Sequence, residues 1–472
     1  MSRPSRDGLA WEDGGLDLEP CWTREPSVMA IERVCRQQLQ IEDADNCDVS
    51  FYAAGAFNKL YLVQTNGKRF FMRVSLPVDP GDKTRGEVAT LRWLRRRTST
   101  PVPHVFAFDD SNDNEIGFEW ILMEFMPGTS AYKRWRGMSM AQKRGLVEKV
   151  AEYQSEILGQ SSGFRSIGTL RPNAIKDKKQ PQEQQGQKEQ EDQVTPSKYV
   201  SIVFFWGDNY EYDVPRGPFR SSHDWLNSFL NIAILFYKKE LQEAEDEDDS
   251  KYAQSGVDVA QKLLDLLPKI FHVLQHPPEQ TFLWHDDLSL SNILVDYDGN
   301  MTAMLDWECV STMPSWVVTQ VPKFLNGATR EEEPKRDGYG DAGPEDRNDD
   351  DELDNEGKNI LYWIHLMEFE QTQLRKVYVA RMQQLHPDWA TRVEYGSLKT
   401  DFLEAVHRCR AGFGMTKGIP KWVDAVMQGE LPRLADIHAP MNIDDDSYNH
   451  RTECIPPSSH EQSNHLTSED EP

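Results

Sequence analysis

The stretch Thr281–Val310, TFLWHDDLSLSNILVDYDGNMTAMLDWECV, decides how the rest of the chain is interpreted. Its Asp298-Gly299 pair lies between two apolar runs, and this pattern is typical of a β-hairpin. The residue that begins the first strand of a hairpin lies beside the residue that ends the second. We therefore expect Asn292 and Asp306 to meet at the open end of this hairpin.

Asp287 lies five residues before Asn292, in a short loop that follows His285. We expect the oxygen-bearing side chains of Asp287, Asn292 and Asp306 to converge on one point. Carboxylate and amide oxygens are the ligands that Mg²⁺ prefers, and a free carboxylate can accept the proton of an attacking hydroxyl. The set therefore indicates phosphoryl transfer, which depends on charge neutralisation and in-line placement. The alternative is a polar loop and hairpin end without chemistry, and His285 alone is more typical of a structural residue.

The composition excludes several classes of protein. The 472 residues carry 78 acidic and 52 basic side chains, a formal charge of -26, which argues against nucleic-acid binding and against a polybasic membrane surface. The most apolar stretches are too short to span a bilayer. Six scattered cysteines without a CxxC pair favour a reducing compartment, and the N-terminal residues lack a secretory pattern, so cytoplasmic localisation is the expectation.

The order of local patterns predicts two lobes. Strand patterns dominate up to Phe125, helical patterns follow, and Met126-Pro127-Gly128 marks a hinge. Asn66-Gly67 predicts a hairpin, and Ser27 caps a helix over Trp22–Leu39. We expect an extension at 1–48, a small lobe at 49–125, a helical lobe at 126–439 and a disordered tail at 440–472. The other helical patterns are Thr84–Arg96, Met140–Leu158, His223–Leu241, Val257–Leu274, Lys358–Gln384 and Phe402–Arg410.

Three polar segments interrupt the helical lobe. Lys176–Gln193 is rich in Gln, Glu and Lys and holds no aliphatic or aromatic residue, so burial cannot offset the entropy of ordering it. Glu240–Ser250 is an acidic run, interpreted as a solvated surface loop rather than a site for a cationic substrate. Glu331–Gly357 is acidic and holds several glycines. We expect all three to be disordered inserts.

The motif His285-x-Asp287-x4-Asn292, followed by Asp306-Trp307-Glu308, resembles the catalytic and metal loops of the aminoglycoside phosphotransferase family. That family is similar to choline kinases and, more distantly, to protein kinases. The chain looks closest to the fungal "altered inheritance of mitochondria" group. The resemblance implies an α+β, two-lobe, protein-kinase-like fold that uses ATP and Mg²⁺. It also implies transfer to a hydroxyl of a small-molecule acceptor, with mitochondrial localisation as the alternative to the cytoplasm.

Roles at individual positions follow from this resemblance. Asp287 corresponds to the catalytic base, and Asn292 and Asp306 correspond to the Mg²⁺ ligands. The remaining residues correspond to nucleotide contacts: Gly55 in the phosphate loop, Arg73 over the phosphates, Glu87 paired with Arg73, and Glu124 and Met126 in the hinge that receives adenine.

The sequence departs from the family pattern in several places. The phosphate loop Ala54–Asn58 has one glycine, Arg73 stands where protein kinases have lysine, and Asp286 replaces the usual small residue. A planar guanidinium is not equivalent to the compact charge of an ammonium group. The alternative function is therefore a catalytically silent kinase-like protein that binds nucleotide or a partner in mitochondrial maintenance. Oligomeric state is not indicated.

Overall fold

A computed structural model describes residues 3–15, 18–173, 193–272, 278–343, 353, 355–410 and 416–437. The described residues form two compact units. The smaller unit comprises the residues up to Thr84 together with His104–Phe125. The larger comprises Arg85–Pro103 and the described residues from Met126 onward. The smaller unit ends at Phe125, directly before the hinge expected at Met126-Pro127-Gly128, and Arg85–Pro103, expected in the small lobe at 49–125, belongs to the larger unit. The expected lobe bounds stay a prediction.

The smaller unit is built on antiparallel strands. A two-stranded hairpin of β1 and β2 precedes helix α1, and a five-stranded sheet follows in the order β3-β4-β5-β7-β6. Helix α2 follows β5 and continues past the division between the units. The elements are β1 Leu9–Asp13, β2 Leu18–Trp22, α1 Val28–Leu39, β3 Asp48–Ala54, β4 Asn58–Thr65, β5 Lys68–Ser75, α2 Asp82–Arg97, β6 Val105–Asp109 and β7 Glu119–Glu124.

Turn chemistry fixes the register of the central hairpin, β4–β5. Asn66 and Gly67 both have positive φ, 48° and 73°, which is the geometry of the two-residue turn that joins right-twisted strands. Thr65 therefore pairs with Lys68, and Leu60 pairs with Arg73. Because side chains alternate along a strand, Arg73 shares its face of β5 with residues 69 and 71.

The larger unit is mainly helical. Helices α6 and α7 pack against each other, as do α4 and α8. Two small antiparallel sheets run in the orders β10-β9-β14-β11 and β13-β12-β8. The elements are β8 Thr129–Ser130, α3 Ala131–Arg134, α4 Met140–Ser161, β9 Gly168–Pro172, β10 Val194–Pro196, α5 Ile202–Phe205, α6 Ser222–Glu243, α7 Glu247–Ile270, β11 Thr281–Trp284, β12 Ile293–Val295, β13 Met301–Met304, β14 Ser311–Pro314, α8 Ile360–Leu385, α9 Trp389–Arg410, α10 Ile419–Met427 and α11 Leu434–Ile437.

The first helix is shorter than expected, and a hairpin precedes it. Ser27 caps α1 as expected, with its hydroxyl accepting from the N–H of Ala30. The helix therefore begins at Val28, and Trp22, which the sequence placed in the helix, is the last residue of β2. Strands β1 and β2 were not anticipated.

The acidic run Glu240–Ser250 is mostly helical, so its interpretation as a disordered insert was wrong. Its first residues complete α6, and α7 begins at Glu247, ten residues before the expected start at Val257. Asp246 caps α7 by accepting from the N–H groups of Asp248 and Asp249. Acidic side chains in the first helical turn complement the partial positive charge of a helix N-terminus, so the same charges stabilise a helix here.

The other inserts fall partly or wholly beyond the described residues. The Gln-rich segment up to Asp192 and the tail at 440–472 lie outside them, as do residues 344–352 and 354 of the acidic segment. The two described ends of that segment meet, since Asp341 bridges to Lys358 and Arg336 pairs with Glu356 at 2.9 Å. Within the described ranges, none of the helices has both the length and the apolar character needed to cross a membrane.

Candidate active site

The hairpin at the centre of the motif forms as the sequence predicts. Strands β12 and β13 pair with Ile293 opposite Met304. The turn is closed by the side chain of Asp296, whose Oδ1 accepts from the N–H groups of Asp298 (2.9 Å) and Asn300 (2.8 Å). Gly299 has a φ of 81°, the left-handed region that glycine adopts without strain. The turn is therefore locally encoded and sets the register of the open end.

At the open end the candidate metal ligands lie on adjoining strand ends. The N–H of Leu305 donates to the carbonyl of Asn292 at 2.8 Å, so Asp306 follows directly after the residue opposite Asn292. The side-chain Nδ2 of Asn292 donates to the backbone carbonyl of Asp287 at 2.9 Å. This bond fixes the orientation of the Asn292 amide, and it does not engage the Oδ1 atom of that amide. The hairpin end and the Asn292 bond therefore place Asn292 near the backbone of Asp287 and near the segment that leads into Asp306, and the convergence of the three side chains stays a prediction.

Asp306 has an uncommon backbone conformation. Its φ is 60°, in the left-handed region that non-glycine residues seldom adopt. Backbone strain of this kind is found preferentially at functional sites, where the surrounding structure compensates for it. Asp306, a half-buried residue, thus takes its place after β13 through its own backbone conformation.

Asp287 forms an ion pair that the sequence did not predict. Its Oδ1 accepts from the ammonium group of Lys323, which begins a short 3₁₀ turn, Lys323–Leu325, that is remote in sequence. The Asp287 side chain is 52% exposed and that of Lys323 is 35% exposed. The candidate base is therefore paired with a cation, yet both groups remain accessible to a ligand.

His285 is a buried structural residue that supports the loop before Asp287. Its Nε2 donates to the carbonyl of Leu305 at 3.0 Å, and its ring packs edge-on against Trp307 with 4.7 Å between centroids. Burial lowers the pKa of His285, so the neutral ring is favoured. These contacts tie the segment before Asp287 to the end of β13, which agrees with the structural interpretation of this histidine.

Asp286, the departure from the family pattern, adds a second carboxyl beside Asp287. The surrounding protein atoms raise the pKa of Asp286 to about 6, with the Asp287 carboxylate as the next cause, although the residue keeps an exposed surface. Burial raises the pKa of Tyr199 well above its ordinary value, and Asp286 and Cys309 contribute to the same shift. The phenol of Tyr199 therefore lies near Asp286 and Cys309, beside the loop that carries Asp287.

The smaller unit holds three of the expected nucleotide contacts. Gly55 lies in the loop between β3 and β4, where its N–H donates to the carbonyl of Asn58 at 2.8 Å. A Cβ atom at Gly55 would meet nothing within 4 Å, so packing does not demand glycine there. Arg73 is buried near the end of β5. The Glu124 carboxylate at the end of β7 accepts from the N–H of His104 at 3.0 Å.

The remaining two expected contacts belong to the larger unit. Glu87 is buried on α2, and half-buried Met126 directly follows the division at Phe125. Since the five nucleotide residues are distributed over both units, their common role stays a prediction. Within the described residues, no group of three or more His, Cys, Asp or Glu side chains is arranged to hold a metal ion.

A comparison with models of known protein families identifies the family to which this chain belongs. Residues 48–317 match the family model described as the phosphotransferase enzyme family, which is more than half of the chain. The chain belongs to this family of phosphotransferases. Together with the β-rich first part and helical second part, this confirms the α+β, protein-kinase-like fold class expected from the sequence.

Two of the curated proteins that this chain resembles are fungal. A subtelomeric hrmA-associated cluster protein of Aspergillus fumigatus is 26% identical over 323 residues, which are 60% of this chain and 61% of that protein. The altered inheritance of mitochondria protein 9, mitochondrial, of Saccharomyces cerevisiae is 22% identical over 361 residues, 67% of this chain and 57% of that protein. The chain thus spans about three fifths of the length of the curated relatives it matches.

Among solved structures, a putative aminoglycoside phosphotransferase from Ralstonia eutropha is similar to this chain, with a TM-score of 0.41 and 15% sequence identity. The match covers 88% of this chain and 97% of that one. A ternary complex described as streptomycin-ATP-APH(2")-IIa has a TM-score of 0.41 and 12% identity, and covers 85% of this chain and 96% of that one.

Proposed function

We propose that this protein is an ATP- and Mg²⁺-dependent phosphotransferase that acts on a hydroxyl of a small molecule. The observation that carries the proposal is the open end of the β12–β13 hairpin. There the Asn292 amide is fixed on the Asp287 backbone, and Asp306 follows in a strained conformation. Membership of a phosphotransferase family supports the reaction class. The acceptor and the nucleotide remain part of the proposal.

In the proposed reaction Asp287 acts as the base. The acceptor hydroxyl gives its proton to the Asp287 carboxylate as the acceptor oxygen forms a bond to the γ-phosphorus of ATP. The bond from that phosphorus to the bridging oxygen breaks, and ADP leaves with the electron pair. Such a transfer depends on orientation and charge neutralisation. The exposed Asp287 side chain is accessible to an acceptor in solution.

Asn292 and Asp306 fit a magnesium ion. The Nδ2 of Asn292 is already engaged, so its Oδ1 is the end suited to a cation, and Asp306 adds a carboxylate. Mg²⁺ is commonly bound by one or two protein oxygens together with substrate phosphates and water, so two ligands suffice. When bound, the ion would neutralise charge on the phosphates.

The nucleotide roles complete the proposal. Gly55 allows close approach to the phosphates, Arg73 neutralises them with Glu87 as its partner, and the backbone at Glu124 and Met126 receives adenine. Arg73 and Glu87 are each buried, which is unusual for charged residues and supports a functional role for each. Additivity of the Arg73→Ala and Glu87→Ala losses in ATP affinity would contradict their joint role.

A catalytically silent, nucleotide- or partner-binding role is the second candidate. The ion pair between Lys323 and Asp287 favours it, because the ammonium group occupies a carboxylate oxygen that an acceptor hydroxyl would need to contact. The names of the mitochondrial relatives make mitochondrial maintenance the setting for this candidate, and mitochondria its proposed location.

Two measurements separate the candidates. Mg·ATP should raise the melting temperature, because a ligand that binds the native state stabilises it. An untargeted metabolite screen should then show a new phosphorylated species with the wild type and none with Asp287→Asn. Stabilisation without ATP consumption or product would support the silent candidate, and no stabilisation at all would exclude both nucleotide-dependent functions.

A further inference from the structure

Lys323 is held beside the catalytic loop by backbone hydrogen bonds of the two residues that follow it. The N–H of the next residue, Phe324, donates to the carbonyl of Leu288 at 3.0 Å, one residue after Asp287. On the other side, the carbonyl of Phe324 accepts from Gln371 at 3.0 Å, and the carbonyl of Leu325 accepts from Arg375 at 2.8 Å. Both of these donors lie on α8. The position of Lys323 is therefore fixed by the loop and by a long helix rather than by its own side chain.

The catalytic segment needs a cation that it does not itself carry. Thr281–Val310 contains six acidic residues and neither lysine nor arginine. A polyphosphate approaching such a segment would be repelled unless cations compensate. Lys323 supplies a cation at Asp287, from a position beyond residue 317, where the match to the family model ends. The family motif therefore gives no indication of this lysine.

We propose that Lys323 is a catalytic residue that binds the phosphoryl group being transferred. The inference rests on the proposed function. Before nucleotide binds, the ammonium group is paired with Asp287, which holds it at the site of transfer. An ammonium group has three donors and can contact a carboxylate and a phosphoryl oxygen at once. As charge moves onto the leaving group, the cation stays beside the reacting oxygens while Asp287 takes the acceptor proton.

The exposure of the pair makes this exchange feasible. Both side chains retain contact with solvent, so an incoming phosphate replaces water and does not have to break a desolvated pair. The alternative is an ordinary surface ion pair that merely joins the 3₁₀ turn to the loop. An ion pair of that kind would not distinguish one nucleotide from another.

The test compares two nucleotides by isothermal titration calorimetry on the full chain with Mg²⁺ present. AMP-PNP has the γ-phosphoryl group and ADP lacks it. Lys323→Ala should weaken AMP-PNP binding about tenfold and ADP binding by less than about twofold, the scale expected for one charge-assisted hydrogen bond. Lys323→Arg should restore most of the difference. Lys262→Ala is the matched control, since Lys262 pairs with Asp424 at 2.8 Å with similar exposure.

The outcomes separate this inference from the proposed function. If wild type binds AMP-PNP and Lys323→Ala affects both nucleotides equally or neither, Lys323 does not contact the γ-phosphoryl group and the inference is wrong, while the proposed function stands. If wild type binds neither nucleotide, the proposed function fails and the inference with it. Lys323→Gln repeats the comparison should the alanine variant melt below the wild type.

Discussion

Two lysine–carboxylate pairs in the larger unit differ in almost every physical respect. Lys143 pairs with Glu370 at 2.6 Å, and the side chains are 4% and 10% exposed. The other Glu370 oxygen accepts from Trp135 Nε1 at 2.8 Å, and the ammonium group lies 4.9 Å from the Trp135 ring. Lys323 and Asp287 instead form a half-exposed pair at the end of a hairpin.

The difference shows which pair can change partners. Burial lowers the pKa of Lys143, and Glu370 opposes that shift, so each charge depends on the other for its stability. Removing either partner leaves an uncompensated buried charge. The exposed pair is screened by water, and each of its members can bind something else at little cost. We therefore expect the buried pair, Lys143–Glu370, to affect the stability of the fold, and the exposed pair, Lys323–Asp287, to affect the reaction.

The largest expected effect comes from the carboxylate of the exposed pair. Asp287→Asn should lower turnover by ~10²–10⁴-fold and leave nucleotide affinity nearly intact, because a base acts mainly in the transition state.

Asp306→Asn should lower Mg²⁺-dependent nucleotide affinity as well as turnover, because a metal ligand acts in the bound complex. Steady-state kinetics and calorimetry on both variants measure this. Loss of nucleotide binding in Asp287→Asn alone would mean that the two roles are reversed.

Breaking the buried pair should affect stability and leave the chemistry unchanged. Lys143→Met should lower the free energy of unfolding by ~3–5 kcal/mol, the usual cost of leaving one member of a buried pair. Urea denaturation measures the change. The double variant Lys143→Met/Glu370→Gln should recover part of the loss, because no charge remains buried and the glutamine oxygen can still accept from Trp135. A double variant as unstable as the single one would show that packing, and not charge, holds this site.

A third carboxylate, that of Glu119 in the smaller unit, can be compared with those of the two pairs. Glu119 is buried, and its carboxylate accepts a hydrogen bond from the neutral N–H of Gly81 at 2.7 Å. Burial raises the pKa of Glu119 from 4.5 to about 7, against that hydrogen bond and the charge of Lys83. Below pH 4.5 the carboxyl group is protonated in both the folded and unfolded states. Between pH 4.5 and 7 only the unfolded state ionises, so stability falls as pH rises and the loss is complete above pH 7.

Glu119→Gln should remove this pH dependence. The free energy of unfolding of the variant, relative to wild type, should rise by ~3 kcal/mol between pH 4.5 and pH 8, since one pKa unit corresponds to about 1.4 kcal/mol. Parallel urea titrations at several pH values measure the difference, and taking the difference cancels the other titrating groups. A constant difference across this range would show that Glu119 is ionised in the folded protein throughout.

The parts of the site that follow from local sequence were predictable. The β12–β13 hairpin depends on turn residues that fix their own geometry, so the hairpin and its register, with Asn292 and Asp306 next to its open end, followed from the sequence. Lys323 was not predicted, because it reaches Asp287 from 36 residues away through the backbone bond of Phe324 to Leu288. Tertiary contacts of this kind leave no periodic pattern.

Misassigned elements in the fold have an equally physical cause. Acidic residues disfavour burial, and on that ground the run at Glu240–Ser250 was taken for a loop, yet the Asp246 cap and the charges of the first turn start a helix there. Conversely, apolar Trp22 looked like part of a helix and lies in a strand. Trp22 pairs with Leu9 across the β1–β2 hairpin, and its ring packs against Phe118 with 4.8 Å between centroids, a long-range contact that local sequence does not show.

The smallest expected effect tests the assignment of chemistry to the exposed pair. Lys323→Ala should change the free energy of unfolding by less than ~1 kcal/mol, the usual contribution of an exposed ion pair, and no more than Lys262→Ala does. The backbone groups of Phe324 and Leu325 make the bonds that hold the 3₁₀ turn against the loop and α8, and alanine at position 323 leaves these bonds in place. A loss near that of Lys143→Met would mean that the pair holds the catalytic loop in place. The contrast between the two pairs would then vanish, and a change in nucleotide binding could be ascribed to a displaced loop. A small loss, measured by the same urea titrations, leaves contact with the phosphoryl group as the reason for any nucleotide-specific effect at Lys323.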